Sequence, residues 1–280
     1  MRKLIVILTL LFSAGAIQAQ VDYSSEFITS GEHNSYEKVA VDERPVIHYP
    51  PLREADVKFS RRVVRCIDSR QKMNKQLEWP RNPLNRLLYE EMLEGNIRPY
   101  RTDSLASYYN LEEFTKRGGT EVIIWVPDDP YDPTIGHDSI AYESLRYEDI
   151  KKYWLMEEWI FDYKHSVFKP RIIALVPLFK PNIGGMDAPE QPLCWIKMDE
   201  IRPLLARTEM FNRYNDAMRL SFDDFFQMRI FDSYIVFESN VFDMYINFFE
   251  EYEDDSKAAL RKSDEIKNDL FIFEHDLWQY

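Results

Sequence analysis

The sequence is poor in the residues that announce chemistry. Only eight of its 280 residues are glycine, and the doublets Gly118-Gly119 and Gly184-Gly185 lack the spacing of a phosphate-cradling loop, which argues against nucleotide binding. The five histidines, His33, His48, His137, His165 and His275, never stand at a helical or hairpin metal spacing with a carboxylate companion, so no zinc site is expected. No glycine-flanked elbow surrounds a serine, and neither cysteine sits in a nucleophile signature. No catalytic residue, metal or cofactor is therefore assigned. Basic charge is also in deficit. With 48 acidic against 35 basic residues and a net charge of −13, free nucleic acid is an unsuitable partner, and direct docking on anionic lipid is disfavoured.

Long apolar runs are absent except at the start. Arg2 and Lys3 precede an apolar run from Leu4 to Phe12 and small residues ending at Ala19. That is the pattern of a secretory signal peptide, with cleavage expected between Ala19 and Gln20. The run is too short to span the roughly 30 Å hydrocarbon layer, which opposes the alternative of an uncleaved anchor. No cysteine follows the cut, so no lipid anchor is expected and any membrane association would run through partners. The two cysteines, Cys66 and Cys194, have three outcomes in an oxidising compartment: a disulfide, two buried thiols, or bonds to a neighbouring chain. A bridge needs α-carbons within about 7 Å.

What is present is apolar and aromatic content, 45% and 15%, enough for a sizeable core. Residues 20–55 lack periodicity yet keep Val39, Val41, Val46, Ile47 and Tyr49, the composition of an extended arm that folds against a neighbour. The folded region starts near residue 55. The segment with Val63, Val64, Ile67, Met73 and Leu77 reads as a first helix, and Leu84–Leu93 as a second, stopped by Gly95. A short capped helix is expected over Asn110–Lys116 and a strand over Glu121–Val126. The Pro127–Pro133 loop carries three carboxylates, but three prolines and too few oxygens oppose a calcium cage. Then follow a helix over Tyr147–Trp159, a central strand over Ile172–Phe179, a strand over Leu193–Met198 and a helix capped by Asp199. Ser221 and Asp224 form a capping pair before Phe225 and Phe226, and Ile230–Phe237 is a strand.

Three acid pairs, Glu112-Glu113, Asp199-Glu200 and Asp223-Asp224, each fall in an expected first helical turn. The macrodipole favours acids there, and the unequal spacings give little support to an internal repeat. At the C-terminus, residues 251–280, an amphipathic stripe joins Ala259, Ser263, Ile266, Leu270, Phe273 and Leu277 at four- and three-residue steps. It suits docking on a partner or closing the chain's own core. The expected architecture is α+β: a mixed sheet with flanking helices over 56–250, an extended N-terminal arm and a C-terminal amphipathic helix.

The block Tyr153-Trp154-Leu155-Met156-Glu157-Glu158-Trp159-Ile160-Phe161-Asp162, with Phe168-Lys169-Pro170-Arg171-Ile172 and the strand to Pro177, resembles the GldN/PorN family. So do Arg65-Cys66-Ile67-Asp68, Met73-Asn74 and Trp79-Pro80, and the resemblance runs from about residue 55 to 240. It implies a periplasmic part of the type IX secretion system of Bacteroidota, also required for gliding. It further implies self-association in a ring with an outer-membrane lipoprotein of the GldK/PorK type, and contact with the inner-membrane component GldM/PorM. On that expectation the interface is sought in the arm 20–55, in aromatic residues between Phe222 and Phe249 and on the terminal helix: Phe222, Phe225, Phe226, Ile266, Leu270, Phe273 and Leu277. The alternatives are an exported polysaccharide hydrolase, using a carboxylate pair and stacking sugar on Trp79, Trp125 or Tyr131, and a periplasmic ligand-binding protein.

Overall fold

A computed structural model describes residues 44–129, 132–143, 145–183, 186–187, 189–215 and 217–277, with side chains outside 120–144 and 182–188. The expected signal peptide, its Ala19/Gln20 cut and the arm up to residue 43 lie outside the described residues.

The centre of the molecule is an antiparallel sheet built on three long strands. Strand β1, Val57–Asp68, pairs along its length with β4, Lys152–Asp162, which pairs in turn with β5, Val167–Phe179. Strand β6, Tyr234–Glu238, lines the outer edge of β1 over Val63–Cys66, and two short strands, Gln191–Pro192 and Ile196–Lys197, line the outer edge of β5. Between β1 and β4 the chain forms α1, Leu84–Leu93, α2, Leu111–Arg117, and a separate hairpin of β2, Thr120–Asp129, with β3, Asp132–Glu143. After β5 come α3, Met198–Arg207, and α4, Phe222–Gln227; α5, Ser256–Asp276, ends the fold.

The α+β expectation holds, but two expected helices are strands. Val57–Asp68 is β1, and Tyr147–Trp159 divides into a single 3-10 turn at Tyr147–Asp149 and the strand β4. The reason is visible in β4. Tyr153 and Leu155 face one side, and Trp154 and Met156 face the other. A strand apolar on both faces has no period-2 signature, so its apolar run is ambiguous in sequence. β5 carries Pro170 and Pro177, which a fully paired strand would not tolerate; its outer edge is laddered only at Ala174–Leu175 and Leu178–Phe179.

Other expectations shift by a few residues. The strand expected over Leu193–Met198 is confined to Ile196–Lys197, the helix after it is capped by Lys197 rather than Asp199, and the last strand starts at Tyr234 rather than Ile230. The Asn110/Glu113 and Ser221/Asp224 capping boxes both form, and all three acid pairs sit in first helical turns. Gly118, just past α2, is a close approach: a Cβ there would stand 2.6 Å from Leu145 Cβ.

One face of the sheet is covered along its length. Ile67, Tyr153, Leu155 and Leu175 pack under α1 to α4 in the largest core cluster. By strand alternation, Val63, Trp159 and Phe161 continue the same face under α5, whose inner stripe buries Ala259, Ser263, Ile266 and Leu270. Ser263 Oγ accepts from Ile235 N at 2.6 Å, tying α5 to the edge strand. On the opposite face Val64, Cys66, Met156, Ala174 and Val176 form a smaller cluster under Tyr100 and Trp195. Beyond it, Ser60 and Arg62 are exposed.

The described end of the arm is a strap across α4 and β5. Tyr49 lies between the guanidinium groups of Arg202 and Arg171, at 4.9 and 5.4 Å from its ring centroid, and its hydroxyl donates to Gln227 Oε1 at 3.0 Å. Arg44 pairs with Asp224, and Arg202 donates to the Ile47 carbonyl at 2.6 Å.

Candidate functional site

The residues singled out as an interface fall mostly inside the molecule. Phe222, Phe225 and Phe226 are 0, 0 and 1% exposed and fill the core between α3, α4 and the sheet, so they supply no surface. Ile266 and Leu270 are buried under the sheet, with Phe273 and Leu277 packed partly buried beside them. Phe273 stacks on Phe59 at 4.5 Å. The stripe thus closes this chain's own core, one of the two roles open to it. The physical reason is length: a helix of 21 residues lies across β1, β4 and β6, whose apolar residues need its cover.

Cys66 and Cys194 are free buried thiols, so no disulfide joins them. They belong to clusters on opposite faces of the sheet, and Cys194 Sγ rests 3.4 Å from Met92 Sδ. Burial pushes the Cys66 thiol up to about 11 and raises that of Cys194 as well, keeping both protonated. Of the aromatic residues weighed for sugar stacking, Trp79 is half-buried against Phe211, at 6.0 Å between ring centroids; the side chains of Trp125 and Tyr131 lie outside those described. Among the described residues, no group of three or more His, Cys, Asp or Glu is placed to hold a metal, and no helix is long and apolar enough to cross a membrane.

An exposed apolar surface lies twenty residues further on than the buried phenylalanines, in the loop from β6 to α5. Val241 is 97% exposed, Phe242 72% and Phe248 66%. Asn240 holds this loop in place. Its Oδ1 accepts from Phe242 N at 3.0 Å and Met244 N at 3.2 Å, while its Nδ2 donates to the carbonyls of Glu238 and Met244, both at 2.8 Å. Asp243 takes a left-handed conformation, φ +52°, within this turn. Tyr245 then anchors the loop on the sheet, stacked on Trp154 at 4.9 Å and tilted on Phe237 at 5.2 Å. Burial raises its hydroxyl pKa to about 12, so it remains neutral. The 3-10 turn Ile246–Phe248 turns Ile246 inward and Phe248 outward, and Asp255 caps α5 by accepting from Lys257 N and Ala258 N.

Between this loop and α5 lies a groove of about 550 Å³. Ile246 and Ile266 form its buried end, and Met244, Phe242, Phe248 and Phe249 form its walls. Glu250 and Glu251 stand at the rim. The aromatic stretch Phe222–Phe249 includes this segment, but the three phenylalanines named from it, Phe222, Phe225 and Phe226, are buried. The available signal was the turn chemistry of Asn240, which marks the following residues as loop and therefore surface.

The chain matches, over residues 52–279, the family described as gliding motility associated protein GldN. The chain belongs to the GldN family. Its match takes in every strand and helix described above, from before β1 to the end of α5. The GldN resemblance read in the β1, β4 and β5 segments is therefore correct. Family membership associates the chain with the gliding motility and type IX secretion machinery, and GldN is not a recognised enzyme family. No curated protein matches the chain significantly.

Proposed function

We propose that this GldN-family chain is a non-catalytic structural subunit of the type IX secretion and gliding machinery. It is exported to the periplasm and assembles there into a ring with an outer-membrane lipoprotein of the GldK/PorK type, through which it is held at the outer membrane. It also contacts a motor component of the GldM/PorM type. The observation that carries this reading is the family match across the whole folded region. The groove beside α5 supports it. A rigidly held loop that presents Val241, Phe242 and Phe248 to solvent is costly in an isolated subunit and suits a surface that another chain covers.

The test is a gentle-detergent pull-down of the protein from native envelopes, with mass spectrometry of its partners and negative-stain imaging of the particles. Recovery with a lipoprotein in large rings supports the assembly. Recovery alone as a small monodisperse particle overturns it.

A further inference from the structure

The groove between the β6–α5 loop and α5 has a chemical bias that says what it binds. Its walls are apolar and include a methionine and three phenylalanines, a soft, wide surface for aliphatic side chains. Its rim is acidic. Glu250 and Glu251 are exposed and pair with no cation among the described residues, and Glu253 and Asp254 follow them in the same state. The cation beside the groove, Lys262, is already paired with Glu265 at 3.0 Å. The third carboxylate of the lining, Glu238, is paired with Arg61 at 2.6 Å.

The geometry points to a docking site for a polypeptide segment of a partner protein in which apolar side chains alternate with lysine or arginine. The apolar side chains fill the groove over Ile246 and Ile266, and the basic ones pair with Glu250 and Glu251. This inference rests on the reading of the chain as an assembly subunit and specifies the chemistry of one of its contacts. Charge complementarity is the argument for the basic character. An acidic segment would meet a row of carboxylates with no cationic partner among the described residues, Glu251 holding only a hydrogen bond from the Tyr252 hydroxyl, and such a meeting is repulsive at an interface. The aromatic walls are the argument for the apolar character, since energetic anchors concentrate in such pockets.

The test uses the full mature chain and three synthetic peptides: an amphipathic Leu/Lys peptide, its Leu/Glu counterpart and a Ser/Lys peptide of equal charge. Binding is read by fluorescence anisotropy against the unaltered protein, Phe242→Ser/Phe248→Ser and Glu250→Lys/Glu251→Lys. All four substituted residues are largely solvent-facing, and the fold of each variant is checked by its thermal melt. The Leu/Lys peptide is expected to bind, to lose roughly tenfold or more in affinity with either variant, and not to be displaced by the Ser/Lys peptide. Unchanged binding to Phe242→Ser/Phe248→Ser shows mere attraction to an acidic protein and overturns the inference, as does preference for the Leu/Glu peptide. The envelope pull-down decides the assembly reading separately, because ring recovery does not depend on these peptides.

Discussion

Arg65 and Glu157 meet across β1 and β4 with Nε 3.0 Å from Oε2, at 4 and 0% exposure, between the two core clusters that cover the same face of the sheet. Arg229 adds a 2.6 Å bond to Oε1, and Trp159 Nε1 donates to Oε2 at 3.2 Å. Arg229 holds a left-handed φ of +57° at the end of α4. Both guanidinium groups lie over the Trp159 ring. A buried ion pair is a weak source of net stability, because desolvation offsets its attraction. It does define register, since a one-residue slip of β1 would carry Arg65 to the other face.

Removing one partner strands the others in the core. Glu157→Ala is expected to cost about 3–5 kcal/mol. Glu158→Ala, one residue away on the opposite face and hydrogen-bonded to exposed Ser60 at 2.6 Å, should cost under about 1 kcal/mol. Urea unfolding of the two variants checks this. Equal destabilisation would remove the special role of the buried cluster.

The two sets of phenylalanines separate core from surface. Phe225→Ala should cost about 3–5 kcal/mol by leaving a cavity. Phe242→Ser should stay within about 0.5 kcal/mol. If thermal melts show the order reversed, the assignment of the exposed surface fails.

The Cys66 thiol gives a pH dependence whose sign follows from burial. Its folded pKa, about 11, is raised above the ordinary value. The stabilisation is complete below the unfolded pKa near 8.5 and is lost as pH rises from there toward the folded value, at about 1.4 kcal/mol per pH unit. Unfolding midpoints should fall over that alkaline window, and Cys66→Ala should flatten part of the fall. A variant with the same slope as the unaltered protein refutes the contribution.

Tyr49 is a central tie of the strap, beside the Arg44–Asp224 pair and the Arg202 bond to the Ile47 carbonyl. Tyr49→Ala removes the hydroxyl bond to Gln227 and the surface on which Arg171 and Arg202 lie. Limited proteolysis should then cut before residue 53 several-fold faster, while the melt of the sheet shifts only by the equivalent of about 1–2 kcal/mol. Unchanged cleavage would mean that Arg44 and the Ile47 carbonyl suffice to hold the strap.

Legibility in the sequence followed local chemistry. The capping boxes at Asn110 and Ser221 needed only neighbours a few residues away, and both helices were readable. The strand β5 was readable too, over Ile172–Phe179, but β1 and β4 were not, because β4 buries Tyr153 and Leu155 on one face and Trp154 and Met156 on the other, which erases alternation. The family resemblance was carried by those same strands, whose residue identities are distinctive even where their periodicity is not. The surface was half legible. Aromatic density marked the region between Phe222 and Phe249, but sequence does not say which side chains the core takes first. Phe222, Phe225 and Phe226 sit on a helix with a sheet to cover, whereas Phe242 follows the Asn240 turn and stays 72% exposed.

The side chain of Asn240 makes four hydrogen bonds within its own loop. Conformational entropy that a mobile loop would surrender on meeting its partner has therefore already been surrendered during folding. Asn240→Ala would leave Phe242 and Phe248 in place as chemistry while returning that freedom to them, so binding at the proposed docking groove would weaken although both phenylalanines remain.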